Sequence, residues 1–165
     1  MRSRRMRSAA LAGVAAVALG GCAADRGPSM ESASADAATA LPYGEAAEVA
    51  DATRTIEIEA SDEMAYEPGS ISVTSGEIVL FVIHNSGQIG HEFSVGDEPA
   101  QVEYAREMKA MADMGPHDHP YGVWLDPGET REFAWRFGEP GEVLYGCHAP
   151  GHYESGMVGS IVVEA

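Results

Sequence analysis

The sequence predicts an all-β domain, a Greek-key sandwich carrying one short helical insertion rich in Met. Short apolar runs, alternating or continuous, recur through residues 53–165, and Pro-Gly or Asn-Ser-Gly turns separate them. One segment breaks the pattern with helical spacing. Several short strands at that spacing, followed by a closing strand, suit two sheets packed face to face.

The elements follow in order. Residues 55–59 alternate, with Ile56 and Ile58 on one face, and residues 70–74 alternate again after Glu67-Pro68-Gly69. Residues 77–83 are almost wholly apolar, the pattern of a central strand buried on both faces. A strand over 92–95 follows the Asn85-Ser86-Gly87 turn. Phe133, Trp135 and Phe137 share one face of a strand over 131–137, set between the turns Asp126-Pro127-Gly128 and Glu139-Pro140-Gly141. Residues 142–145 lead into Cys147, and residues 158–163 close the domain, for seven or eight strands in all. Residues 98–114 form the helix: Asp97 can cap it, Pro99 fits its first turn, and Gly115-Pro116 stops it. Tyr104, Met108 and Met111 fall on one helical face, which most simply covers the sandwich edge.

Residues 1–21 read as a lipoprotein signal peptide. Arg2, Arg4, Arg5 and Arg7 precede a short apolar stretch, and Leu19-Gly20-Gly21-Cys22 has the form of a lipobox. The stretch is too short to span a bilayer. Export to the periplasm or cell surface, cleavage before Cys22 and lipidation of that residue are therefore expected, with an ordinary secretory signal as the alternative. Residues 22–52, rich in Ala, Ser, Asp and Glu, read as a disordered tether; residues 53–165 read as the folded domain, expected to work as a monomer. Only two Cys are present. With Cys22 lipidated, Cys147 has no disulfide partner in an oxidising compartment.

The chain carries 10 Lys and Arg against 26 Asp and Glu. Four of the Arg lie in the signal, so the remainder has six basic against 26 acidic residues, a net of −20. This excludes nucleic acid as a partner. It suits a basic redox protein or a cation, and equally a surface made soluble by charge.

The chemistry concentrates in Cys147-His148-Ala149-Pro150-Gly151-His152 and the Met157 that follows. Thiolate and thioether select soft metals, imidazole suits copper, and a His2Cys set with a weak axial Met describes a mononuclear blue-copper site. Pro150, with its fixed φ, and Gly151 can turn the chain so that His152 returns beside Cys147. The second His must come from elsewhere: His91, heading a strand-like run, is the best candidate. His84, near a turn, and His148, beside the thiol, compete with it.

The block Tyr145-Gly146-Cys147-His148-Ala149-Pro150-Gly151-His152 with Gly156-Met157-Val158-Gly159 resembles the ligand loop of small cupredoxins such as azurin, plastocyanin and rusticyanin. The Cys-x4-His-x4-Met spacing is most similar to the rusticyanin type, and Gly90-His91-Glu92-Phe93 with the Met-rich segment is similar to bacterial cupredoxins of copper tolerance. The resemblance covers residues 54–164. It implies one type 1 copper ion on His91, Cys147, His152 and Met157, no catalysis, and electron exchange near the exposed edge of His152 with a partner such as a c-type cytochrome. In many cupredoxins Asn follows the first ligand His, tying that strand to the ligand loop; here the residue is Glu92, which accepts but cannot donate when ionised.

Two further features compete for a role. Met108, Met111 and Met114, followed by His117-Asp118-His119, offer soft thioethers and an imidazole pair, a possible second copper site. They favour a protein that sequesters or delivers copper as the alternative to an electron carrier. A Cys147 nucleophile with His152 as base is a third reading.

Overall fold

The computed structural model describes residues 41–165 except Ala112 and Met114; Cys22 and residues 1–21, read above as lipobox and signal, lie outside the described residues. Ten strands form two five-stranded sheets. The first sheet contains β1 (Gly44–Ala46), β2 (Arg54–Ser61), β3 (Ala65–Glu67), β5 (Ile78–Asn85) and β8 (Thr130–Phe137), in the order β1-β8-β5-β2-β3. The second contains β4 (Ser70–Thr74), β6 (His91–Gly96), β7 (Gly122–Leu125), β9 (Gly141–Gly146) and β10 (Val158–Glu164), in the order β4-β10-β9-β6-β7. Helix α1 (Glu98–Ala110) leaves β6 and packs against β6 and β9.

Alternation works as expected in β2, where Ile56, Ile58 and Ala60 turn inward between exposed neighbours. In β8 the inward residues are Phe133, Trp135 and Phe137. Aromatic rings from both sheets meet between them: Phe93 of β6 lies 5.1 Å from Phe81 of β5 and 5.2 Å from Tyr145 of β9.

Several expectations change. The three unpredicted strands, β1, β3 and β7, are short edge strands, too brief for periodicity to show. Strand β5 is central but not buried on both faces: Val79, Phe81 and Ile83 face the core, Leu80 and Val82 are half-buried, and His84 is exposed. The helix stops at Ala110 rather than 114. The folded part also begins before residue 53: Gly44, Glu45 and Ala46 pair with Phe137, Arg136 and Trp135, and the Tyr43 ring stacks on Trp135 at 6.0 Å. The polar composition of 22–52 conceals this, because a single Tyr supplies the packing.

Asp97 caps α1 as predicted, its carboxylate accepting the Ala100 N–H at 2.9 Å. Gln101 and Tyr104 are the buried residues of the helix.

Candidate metal centre

Strand pairing assembles the site. In the second sheet Ser94 of β6 pairs with Gly146 of β9, and Gly146 pairs with Val158 of β10. One step further along this register, Cys147 leaves β9 beside the start of β6 and the residue before β10. The Cys147 N–H donates to the Met157 carbonyl at 3.1 Å, and the Glu92 N–H donates to Cys147 Sγ at 3.3 Å. The thiol is thus fixed by the two strands that flank it.

The loop between β9 and β10 then folds back in tight turns. The His152 N–H donates to Ala149 O at 3.0 Å, and the Met157 N–H donates to His152 O at 3.1 Å. Gly151 and Gly156 take φ of +84° and +98°, a region in which a side chain is strained. Gly156 is needed for that conformation and not for close approach, since an added Cβ would meet nothing within 4 Å.

His91, Cys147 and His152 come together, with one ligand atom from each lying within 4.8 Å of the others. Cys147 Sγ is 3.3 Å from His152 Nδ1, and the His91 and His152 rings are 5.1 Å apart. His91 is fully buried, yet its Nδ1 has no hydrogen-bond partner. A buried nitrogen left unpaired in a packed sheet costs free energy unless a ligand takes it up. A soft thiolate, two imidazoles and one orphaned ring nitrogen fit a copper ion. Met157 is also fully buried, and its backbone clasps Cys147 on one side and His152 on the other.

The competitors are placed elsewhere. His84 is exposed, with Nδ1 3.0 Å from Thr130 Oγ1. His148 stacks on Tyr153 at 4.6 Å, and its Nε2 lies 2.7 Å from Gln101 Oε1. Because the Gln101 amide nitrogen donates to Ser94 O and Leu144 O, at 3.0 and 3.3 Å, its oxygen accepts and His148 Nε2 carries the proton. Burial lowers the His148 pKa to about 4, so the ring stays neutral.

Of the residues around the ligands, Glu92 stood out in the sequence and Asp62 did not. Asp62, in the β2–β3 turn, lies with Oδ1 3.3 Å from His91 Nε2, and its carboxylate accepts the N–H groups of Gln88 and Ile89 at 2.8 and 3.4 Å. It engages the Nε2 side of the buried ring and leaves Nδ1 as the nitrogen without a partner, as a carboxylate behind a metal-binding His does. Glu92 is buried and takes over the tie made by Asn elsewhere: its carboxylate accepts the His148 N–H at 3.0 Å and the Tyr104 hydroxyl. Burial outweighs those two hydrogen bonds and pushes the Glu92 pKa up to about 7. Tyr66 donates to the Glu92 carbonyl.

Burial likewise pushes the Cys147 thiol up to about 12. A nucleophilic Cys needs a lowered pKa and access, and this one is fully buried. The arrangement speaks for a ligand that surrenders its proton to a metal.

The Met/His set is divided. Met108 and Met111 line a groove with Trp124, Ala149 and Pro150 beside the ligand loop. His117 and His119 stand together, ring centroids 4.4 Å apart, and His119 packs against Tyr104 and Tyr121. Met114 lies outside the described residues.

The sandwich and its His–Cys–His cluster define a mononuclear copper protein of the cupredoxin class. Residues 52–164 match the copper binding proteins of the plastocyanin/azurin family, and the chain belongs to that family. It is 40% identical over 168 residues to the copper-resistant cuproprotein CopI of Rubrivivax gelatinosus, covering 99% of each chain. Against CopI of Pseudomonas aeruginosa the identity is 34% over 161 residues, covering 81% of this chain and 88% of the relative. The auracyanin B structure shares the fold, with a TM-score of 0.63 at 23% identity over 74% of this chain and 96% of that one. The protein is thus a copper-binding redox or copper-handling protein, with one type 1 copper site at the buried cluster.

Proposed function

We propose that this chain is an exported copper-tolerance protein that holds one copper ion on His91, Cys147, His152 and, axially, Met157, and works by single-electron exchange. The observation that supports it is the convergence of the site: ligand atoms of His91, Cys147 and His152 lie within 4.8 Å of one another. Copper there supplies a one-electron couple. The sheet supplies rigidity, since Cys147 and Met157 are tied by backbone hydrogen bonds and the His91 ring by Asp62. Little rearrangement then accompanies a change of oxidation state.

Relatives named as copper-resistant cuproproteins favour tolerance as the setting. A redox partner such as a c-type cytochrome would approach where His152 is half-buried, beside the apolar groove of Met108, Met111, Trp124 and Pro150. The signal over 1–21, lipidation of Cys22 and the membrane tether belong to this proposal and rest on sequence. Cys147→Ser tests it. The variant should lose the thiolate-to-copper absorption band and fail to restore copper tolerance to cells lacking the protein. Full rescue by Cys147→Ser would show that the cluster is not the working part.

A further inference from the structure

We propose that His117 and His119 form a second copper site, taking Cu(II) through two imidazole nitrogens at the end of the helical insertion. Among the described residues, only two buried side-chain nitrogen or oxygen atoms lack a hydrogen-bond partner, His91 Nδ1 and His119 Nε2. The first is a ligand atom of the type 1 cluster. The second is likewise an unpaired ring nitrogen, and its ring too stands beside another imidazole: the His117 and His119 ring centroids are 4.4 Å apart, against 5.1 Å for His91 and His152.

The pair is held in place by its surroundings. His119 exchanges backbone hydrogen bonds with Gly122, at 2.9 and 3.2 Å, which anchors it at the head of β7. Between the two His, Asp118 points to the other side of the chain, where it accepts from Arg131 at 2.6 Å and from the Trp124 N–H at 3.0 Å. Residues one apart from an alternating neighbour share a face of extended chain, so His117 and His119 project together. His117 Nδ1 lies 2.8 Å from the Gly115 carbonyl, an acceptor only, so Nδ1 carries the proton and the Nε2 lone pair is free to bind.

The electrostatics suit a cation. Burial and the neighbouring His117 lower the His119 pKa, which keeps the ring neutral and able to ligate. Glu107 adds a nearby negative charge, fixed by the Tyr121 hydroxyl at 3.1 Å, and Tyr121 stacks on His119. Imidazole donors without thiolate bind Cu(II) ahead of the other common divalent metals. Both residues are half-buried, so the pair lies at the edge of the domain rather than in its core. The site needs nothing from the type 1 cluster, and the thioethers of Met108 and Met111 line a different groove.

The test is a Cu(II) titration of the full chain, with bound copper counted after gel filtration and electron paramagnetic resonance recorded at each step. The His117→Ala/His119→Ala variant should hold one copper fewer than the unaltered chain and lose the signal that lacks thiolate character. Its thiolate band should persist, which also shows that it has folded. Nuclear magnetic resonance of the unaltered chain gives a measurement that needs no variant. Copper added beyond the first equivalent should broaden the ring signals of His117 and His119 and spare those of His84. Equal copper content in both proteins, or His117 and His119 signals no more broadened than those of His84, overturns the proposal. Absence of the thiolate band from the unaltered chain would instead refute the type 1 reading.

Discussion

The buried carboxyl next to His91 makes one large contribution to the metal-free protein's response to pH, and His148 opposes it over much of the same range. Glu92 has a pKa of 4.5 as a free side chain and about 7 when folded. Between those values the folded state binds more protons than the unfolded one, so this group makes stability fall as pH rises through that window. At about 1.4 kcal/mol per pKa unit, the loss is on the order of 3 kcal/mol by neutral pH. His148, whose folded pKa burial lowers to about 4, contributes a rise of similar size over much of that window, so the Glu92 contribution is read as a difference between two proteins. In denaturant unfolding of copper-free protein at pH 4.5 and pH 7.5, Glu92→Gln should gain stability relative to the unaltered chain as pH rises; the same pH dependence in both would mean that the carboxyl is ionised throughout. The position was visible in the sequence as a departure from Asn. That it accepts from Tyr104 and His148 was not, because those partners lie 12 and 56 residues away.

At the scale of elements, the helical insertion proves to be part of the site's support. Gln101 on α1 joins three segments at once, donating to Ser94 and Leu144 on two strands and accepting from His148 in the ligand loop. Its loss leaves buried polar groups unpaired, at a cost of roughly 1–3 kcal/mol. Gln101→Ala should therefore lower stability by that amount and speed copper loss to a chelator. Asp97→Ala removes only the cap of the same helix, about 1 kcal/mol, and should leave chelation kinetics nearly unchanged; equal rates in the two variants would show that α1 acts on the site only through general stability. The cap and the helix start were legible from local residues, but the Met face was not, since Met111 lies past the helix end and Gln101 and Tyr104 are the residues the helix buries. Nor was Gln101, for a Gln on a helix carries no sign of what it will meet.

For the whole molecule the dominant property is charge. Outside residues 1–21 the chain has a net charge of −20, and attraction between such a surface and a basic partner weakens as salt shortens the screening length from about 10 Å at 0.1 M to about 3 Å at 1 M. The second-order rate of electron exchange with a basic c-type cytochrome should thus fall steeply over that range. A rate independent of salt would assign the acidity to solubility. The ligand loop, the alternation of β2 and β8 and the turn at Pro150-Gly151 were all determined by local sequence, since turn chemistry, periodicity and soft-ligand spacing act over a few residues. Only the tertiary structure decided that His91, rather than His84 or His148, joins Cys147. The same holds for Asp62 behind the His91 ring and for Tyr43 in the first sheet. Each depends on strand register and packing between residues distant in the chain, and no local pattern encodes them.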